Sequence, residues 1–117
     1  LGFDEFAIAF ERAKIANMAC LEATPEETAH LCCGVFGRLE ALFTASVVSG
    51  DCELSERCRQ KSLSLVAEYL NSAGFNFVGA GPLSLVNPTL YRGIAGVAYQ
   101  MMRFSAPERF PSILLWE

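Results

Sequence analysis

The chain has 117 residues, 52% of them apolar and 19% charged, with a net charge of −4. That balance excludes a disordered tail, which needs low hydrophobicity and high charge, and suits one packed domain or a piece of a longer protein. Nine Lys and Arg without a basic patch argue against nucleic acid as a partner. No apolar run reaches the ~18–20 residues of a membrane span.

Taken in chain order, Phe3, Phe6, Phe10, Ala13 and Asn17 recur at helical spacing, and Ile8, Ile15 and Met18 form a second apolar line. The periodicity predicts a helix from about Asp4 to Leu21, buried on more than one side. Thr24, Pro25, Glu26 and Glu27 read as a further helix start, with Thr as N-cap, Pro at the first position and acids in the first turn. A second long helix is expected from Gly34 to about Val48, with Val35, Leu39, Leu42 and Phe43 on one face and Ser49, Gly50 and Asp51 ending it. A third runs from about Leu54 to Asn71, with Glu56, Arg57, Arg59, Lys61 and Glu68 outward and Leu63, Val66, Tyr69 and Leu70 inward. Ser72 to Leu85 reads as a loop with a short extended piece at Phe75–Val78, and Asn87–Pro88 as a turn. A fourth helix is expected from Leu90 or Gly93 to Phe104, closed by Ala106–Pro107. The apolar tail from Phe110 to Glu117 reads as a strand or a packed arm. The fold class is all-α, with little sheet.

Residues 31–43 align without gaps on residues 90–102, both beginning on Leu and both carrying Gly-x-x-Gly. From Gly34 to Gly93 the offset is 59 residues, enough for one helical hairpin and its loop. Hairpins of this kind stack because none can bury its apolar face alone. Gly34 and Gly37, like Gly93 and Gly96, leave a helix start bare of side chains, which allows close backbone approach.

Five cysteines, Cys20, Cys32, Cys33, Cys52 and Cys58, make an odd number without a disulfide framework, which suits a reducing, cytoplasmic setting. Cys32 and Cys33 stand directly before the first glycine pair. A helix start lowers the pKa of a nearby thiol and favours the thiolate that binds metal. Two sulfurs on one tetrahedral zinc lie roughly 3.8 Å apart, which adjacent residues can meet in the bend entering a helix. The residues alone leave three readings open: a metal pair, two buried structural cysteines, or a vicinal disulfide. Cys20, Cys52 and Cys58 read as core or interface residues.

The run from His30 to Gly37 (His-Leu-Cys-Cys-Gly-Val-Phe-Gly) resembles the Leu-Cys-His-Gly-x-x-Gly metal motif of the lanthionine synthetase cyclase family. Residues 90–99 are similar to its last glycine-rich helix start, and residues 102–117 to the Pro-Ser-Val-Leu-Leu ending of class II lanthipeptide synthetases. The resemblance covers about Ala29 to Glu117. It implies an α/α toroid, a double ring of helices, of which residues 1–117 form a C-terminal fragment. It also implies addition of peptide cysteine thiols to dehydroalanine or dehydrobutyrine, closing thioether rings. The partners implied are a precursor peptide carrying dehydrated Ser or Thr and Cys, and the rest of the synthetase chain.

Zn²⁺ is the implied cofactor, with Cys32 matching a ligand and Cys33 standing where most members have His. A cyanobacterial, substrate-tolerant subclass has a third Cys there, and this chain looks like that group. The third protein ligand and the acid/base His are expected upstream, so the fragment alone should lack cyclase activity. His30, the sole histidine, is a candidate outer partner of the metal site. In the second repeat Tyr91 and Arg92 replace the two thiols, so that copy cannot bind zinc in the same way. The alternative function is a non-enzymatic helical-repeat interaction module with structural cysteines.

Overall fold

A computed structural model describes residues 2–24, 27–71 and 88–114. Four α-helices, α1 (Phe3–Asn17), α2 (Val35–Ser49), α3 (Cys52–Asn71) and α4 (Ile94–Ser105), account for most of them, with a 3-10 helix at Met18–Glu22 following α1. No strand occurs among the described residues, so the chain is all-α. No helix among them is long and apolar enough to cross a membrane.

Helix α2 is the hub. Val35, Phe36, Leu39, Leu42 and Phe43 are fully buried and form the core with Cys20, Cys58, Leu65, Tyr69, Val97 and Phe104. Phe43 packs on the Phe104 ring of α4 at 4.6 Å between centroids, and the Arg59 guanidinium of α3 lies over the Phe43 ring, 5.5 Å from its centroid. The same Arg59 donates from Nε to the Phe104 carbonyl at 2.7 Å, which ties α3 to the end of α4.

The α2–α3 hairpin closes as its turn residues dictate. Gly50 takes φ 71°, a left-handed conformation that costs glycine little. Asp51 then accepts the Leu54 N–H at 3.0 Å and caps α3.

Several sequence expectations change. Helix α1 ends at Asn17 and buries none of its residues; Phe3, Phe6, Ile8 and Ile15 are exposed, so its two apolar lines are not both covered. Leu63 and Leu70 on α3 also face solvent. The buried stripe is Leu54, Cys58, Ser62, Leu65 and Tyr69, spaced as helical geometry requires but disguised by the polar Ser62, whose hydroxyl bonds back to the Cys58 carbonyl at 2.9 Å. No helix starts at Thr24 among the described residues: the Thr24 N–H meets the Glu27 carboxylate, and residues 28–30 run irregularly. Pro25 and Glu26 lie outside the described residues, as do the expected loop at Ser72–Leu85, Asn87 of the expected turn and residues 115–117 of the expected tail. Residues 111–114 form no strand; Tyr99 holds them by donating to the Pro111 carbonyl at 2.9 Å, as a packed arm.

A candidate metal centre at the first glycine turn

The start of α2 has no side-chain cap. Its orphan N–H groups are met by the irregular segment before it. Val35 donates to the Thr28 carbonyl at 2.8 Å, while Gly34 and Gly37 both donate to the His30 carbonyl, at 3.0 and 3.3 Å. This fit needs bare glycines. A Cβ on Gly34 would stand 2.2 Å from the Thr28 oxygen and 2.3 Å from the His30 nitrogen, and one on Gly37 would stand 2.1 Å from the Leu31 oxygen. The second glycine pair repeats the device, since a Cβ on Gly96 would stand 1.9 Å from the Leu90 oxygen. Gly93 takes the same extended N-cap conformation as Gly34. The two turns touch: the Cys32 N–H donates to the Tyr91 carbonyl at 3.1 Å.

Cys32 and Cys33 occupy the turn just ahead of α2, both exposed, with their sulfurs 3.2 Å apart. They are neither buried structural residues nor disulfide-bonded. His30 is buried beneath them, and its Nδ1 lies 3.5 Å from Cys33 Sγ. The donor atoms of His30, Cys32 and Cys33 all fall within 4.8 Å of one another, so the three can hold a metal ion. Two sulfurs and an imidazole are a donor set that suits zinc better than a hard cation.

The electrostatics depart from the helix-start expectation. The Cys33 thiol is pushed above its ordinary range, first by its hydrogen bond with Cys32, then by burial and by the charge of the neighbouring sulfur; Arg92 pulls it back. Two thiolates so close repel unless a cation stands between them. Burial, followed by the Arg92 charge, lowers the His30 pKa and so favours the neutral ring, the form that binds metal. Arg92 is a member of the site's surroundings that sequence reasoning passed over. Its signal was present, because it aligns with Cys33 in the repeat, and adjacent repeats set equivalent turns side by side.

The remaining cysteines divide. Cys20 and Cys58 lie in the core, whereas Cys52 is exposed at the first turn of α3, which leaves of its two expected places only the interface.

No curated protein and no solved structure matches the chain. A family model, the lanthionine synthetase C-like protein, matches residues 11–115. Because that match takes in both glycine turns and the helices α2 to α4, the chain belongs to the lanthionine synthetase C-like family.

Proposed function

We propose that the chain is the C-terminal part of the cyclase domain of a class II lanthipeptide synthetase, of the kind with Cys in place of the usual His after the second zinc cysteine. Its reaction adds a peptide cysteine thiol across the double bond of a dehydroalanine or dehydrobutyrine. Sulfur bonds to the β-carbon, the double-bond electrons move toward the carbonyl, and a proton is delivered to the α-carbon. The observation that carries the reading is the Cys32–Cys33 sulfur pair, exposed over the buried His30 at a family glycine turn.

Cys32 and Cys33 would hold zinc. Bound there, zinc would supply a thiolate near neutral pH and orient it toward the electrophile. The exposure of both sulfurs gives a peptide thiol access. Gly34 and Gly37 keep the turn compact, so the thiols project from a fixed backbone. The five free thiols fit a reducing cytoplasm.

The test is zinc per chain, measured under reducing conditions for the longest native protein that contains this segment, as the parent, and for its Cys32→Ala and Cys33→Ala variants. Near one zinc in the parent and little in either variant is expected. A metal-free parent would sink the cyclase reading and leave a helical-repeat binding module.

A further inference from the structure

We infer that Arg92, delivered by the second glycine turn, binds the acyl oxygen of the dehydroamino acid while a thiol adds to its double bond. The inference rests on the cyclase reading of the cysteine pair and extends it from the nucleophile to the electrophile.

The chemistry sets the need. As sulfur bonds to the β-carbon, the double-bond electrons move through the α-carbon onto the acyl oxygen, and the proton given up by the thiol ends on the α-carbon. Until that proton arrives the oxygen carries negative charge. A fixed cationic donor at that oxygen stabilises the transition state more than the ground state. Residues 28–37, which carry the thiols, include no Lys or Arg to do this.

The second turn brings one. The Cys32 N–H donates to the Tyr91 carbonyl at 3.1 Å, and that carbonyl is bonded to the Arg92 nitrogen. The Arg92 backbone therefore begins within about 6 Å of the Cys32 nitrogen. Gly96 fixes the approach, since a Cβ there would stand 1.9 Å from the Leu90 oxygen and 3.1 Å from the Leu31 Cβ. Arg92 directly precedes Gly93, the N-cap of α4, as Cys33 directly precedes Gly34, the N-cap of α2. The repeat thus sets a guanidinium and a thiol at equivalent places on two touching turns. Arg92 is exposed, as are both cysteines, so a peptide can reach all three.

The electrostatics agree with this placement. The Arg92 charge bears on both Cys33 and His30. On Cys33 it ranks behind the neighbouring thiol and burial, as suits a cation that stands off from the sulfur. The acyl oxygen is itself several bonds from the attacking sulfur. The planar guanidinium fork offers that oxygen directed N–H donors as well as charge.

The experiment uses the longest native protein that contains this segment, loaded with zinc, as the parent and as Arg92→Gln, Arg92→Ala and Arg92→Lys. The probe is a peptide carrying one dehydroalanine and one cysteine, and ring closure is followed by loss of free thiol at several pH values. Zinc per chain and circular dichroism are recorded for each protein and should match the parent. In Arg92→Gln and Arg92→Ala, kcat should fall about 100–1,000-fold with KM near the parent's. Arg92→Lys, which keeps the charge, should recover part of the loss, and the pH at which kcat is half-maximal should stay where it is.

A near-parent kcat in Arg92→Gln would overturn the inference and leave the cysteine site standing. So would a rate that returns to the parent's at higher pH, because Arg92 would then act on the thiol. Loss of zinc in Arg92→Gln would also overturn it, by making Arg92 a support of the metal turn. A parent that binds no zinc or closes no ring would overturn the cyclase reading as well. Arg92→Gln and Arg92→Lys change an exposed side chain of similar length, so the comparison holds even where Arg92→Ala folds poorly.

Discussion

At the residue scale, the glycines of the first turn do more for the site than the cysteines' own backbone. Gly34 and Gly37 allow the carbonyls of Thr28 and His30 to satisfy the start of α2, a task that a Ser or Asp cap performs elsewhere. Gly37→Ala would place a Cβ against the Leu31 carbonyl, which is backbone and cannot swing away. The expected loss is about 1–3 kcal/mol of stability, read by urea unfolding. Gly34→Ala should in addition weaken zinc binding, because its Cβ meets the Thr28 and His30 backbone and pushes apart the turn that carries Cys32 and Cys33. An Ala variant at either position as stable as the parent would contradict this packing. The Gly-x-x-Gly spacing and the thiol pair were legible in the sequence. The part of His30 was not, since a lone histidine ahead of a motif carries no sign of whether its ring turns inward.

At the element scale, α2 and α4 are joined by a buried polar network that the periodicity did not foretell. Glu40 accepts Arg103 Nε at 2.6 Å and Thr44 Oγ1 at 3.2 Å, and it also accepts the Gln100 side-chain amide. Arg103 reaches on to Thr44 Oγ1 at 3.1 Å and to the Phe110 carbonyl at 2.6 Å. Each of these side chains lies almost wholly out of water. Equivalent helices of the two repeats are thus fastened two turns beyond their touching glycine starts. Glu40→Ala would strand the Arg103 charge in the core and should cost about 3–5 kcal/mol. The double change Glu40→Leu with Arg103→Met should cost clearly less, because it removes both charges together. Thermal melts of the three proteins check this, and equal losses in single and double variants would refute the coupling. From sequence, Glu40 and Arg103 look like ordinary solvated charges; their partners are some sixty residues away, and only packing brings them together.

For the whole molecule, the core around α2 holds two thiols whose protons are locked by burial. Desolvation raises the Cys20 pKa from its ordinary 9.0 to about 11 and that of Cys58 to about 12. Above pH 9 the unfolded chain releases these protons first, so it binds fewer than the folded chain does. Stability from this source is therefore complete below pH 9 and declines as the pH rises through 11 to 12, by at most about 1.4 kcal/mol per pH unit for each thiol. Denaturant midpoints between pH 8 and 11 should fall, and Cys20→Ala should flatten the fall. At neutral pH a thiol reagent should label Cys32, Cys33 and Cys52 quickly and the two core cysteines only on unfolding. A flat stability profile, or five equally reactive thiols, would contradict the burial.

The sequence by itself determined the helical class, the ends of α2 and α4, the repeat of the glycine turn and the chemical identity of the thiol pair. These are local properties, set by periodicity, by turn residues and by the donor atoms that a side chain carries. Tertiary structure alone decided which apolar lines are covered and which face water, as Phe3, Phe6, Leu63 and Leu70 show. It also brought the Arg92 charge to bear on Cys33 and sealed Glu40 and Arg103 together. The same holds for the turn of His30 beneath the sulfurs. Each of these depends on what stands opposite, and a residue's partner across the core is written nowhere in its own neighbourhood of the chain.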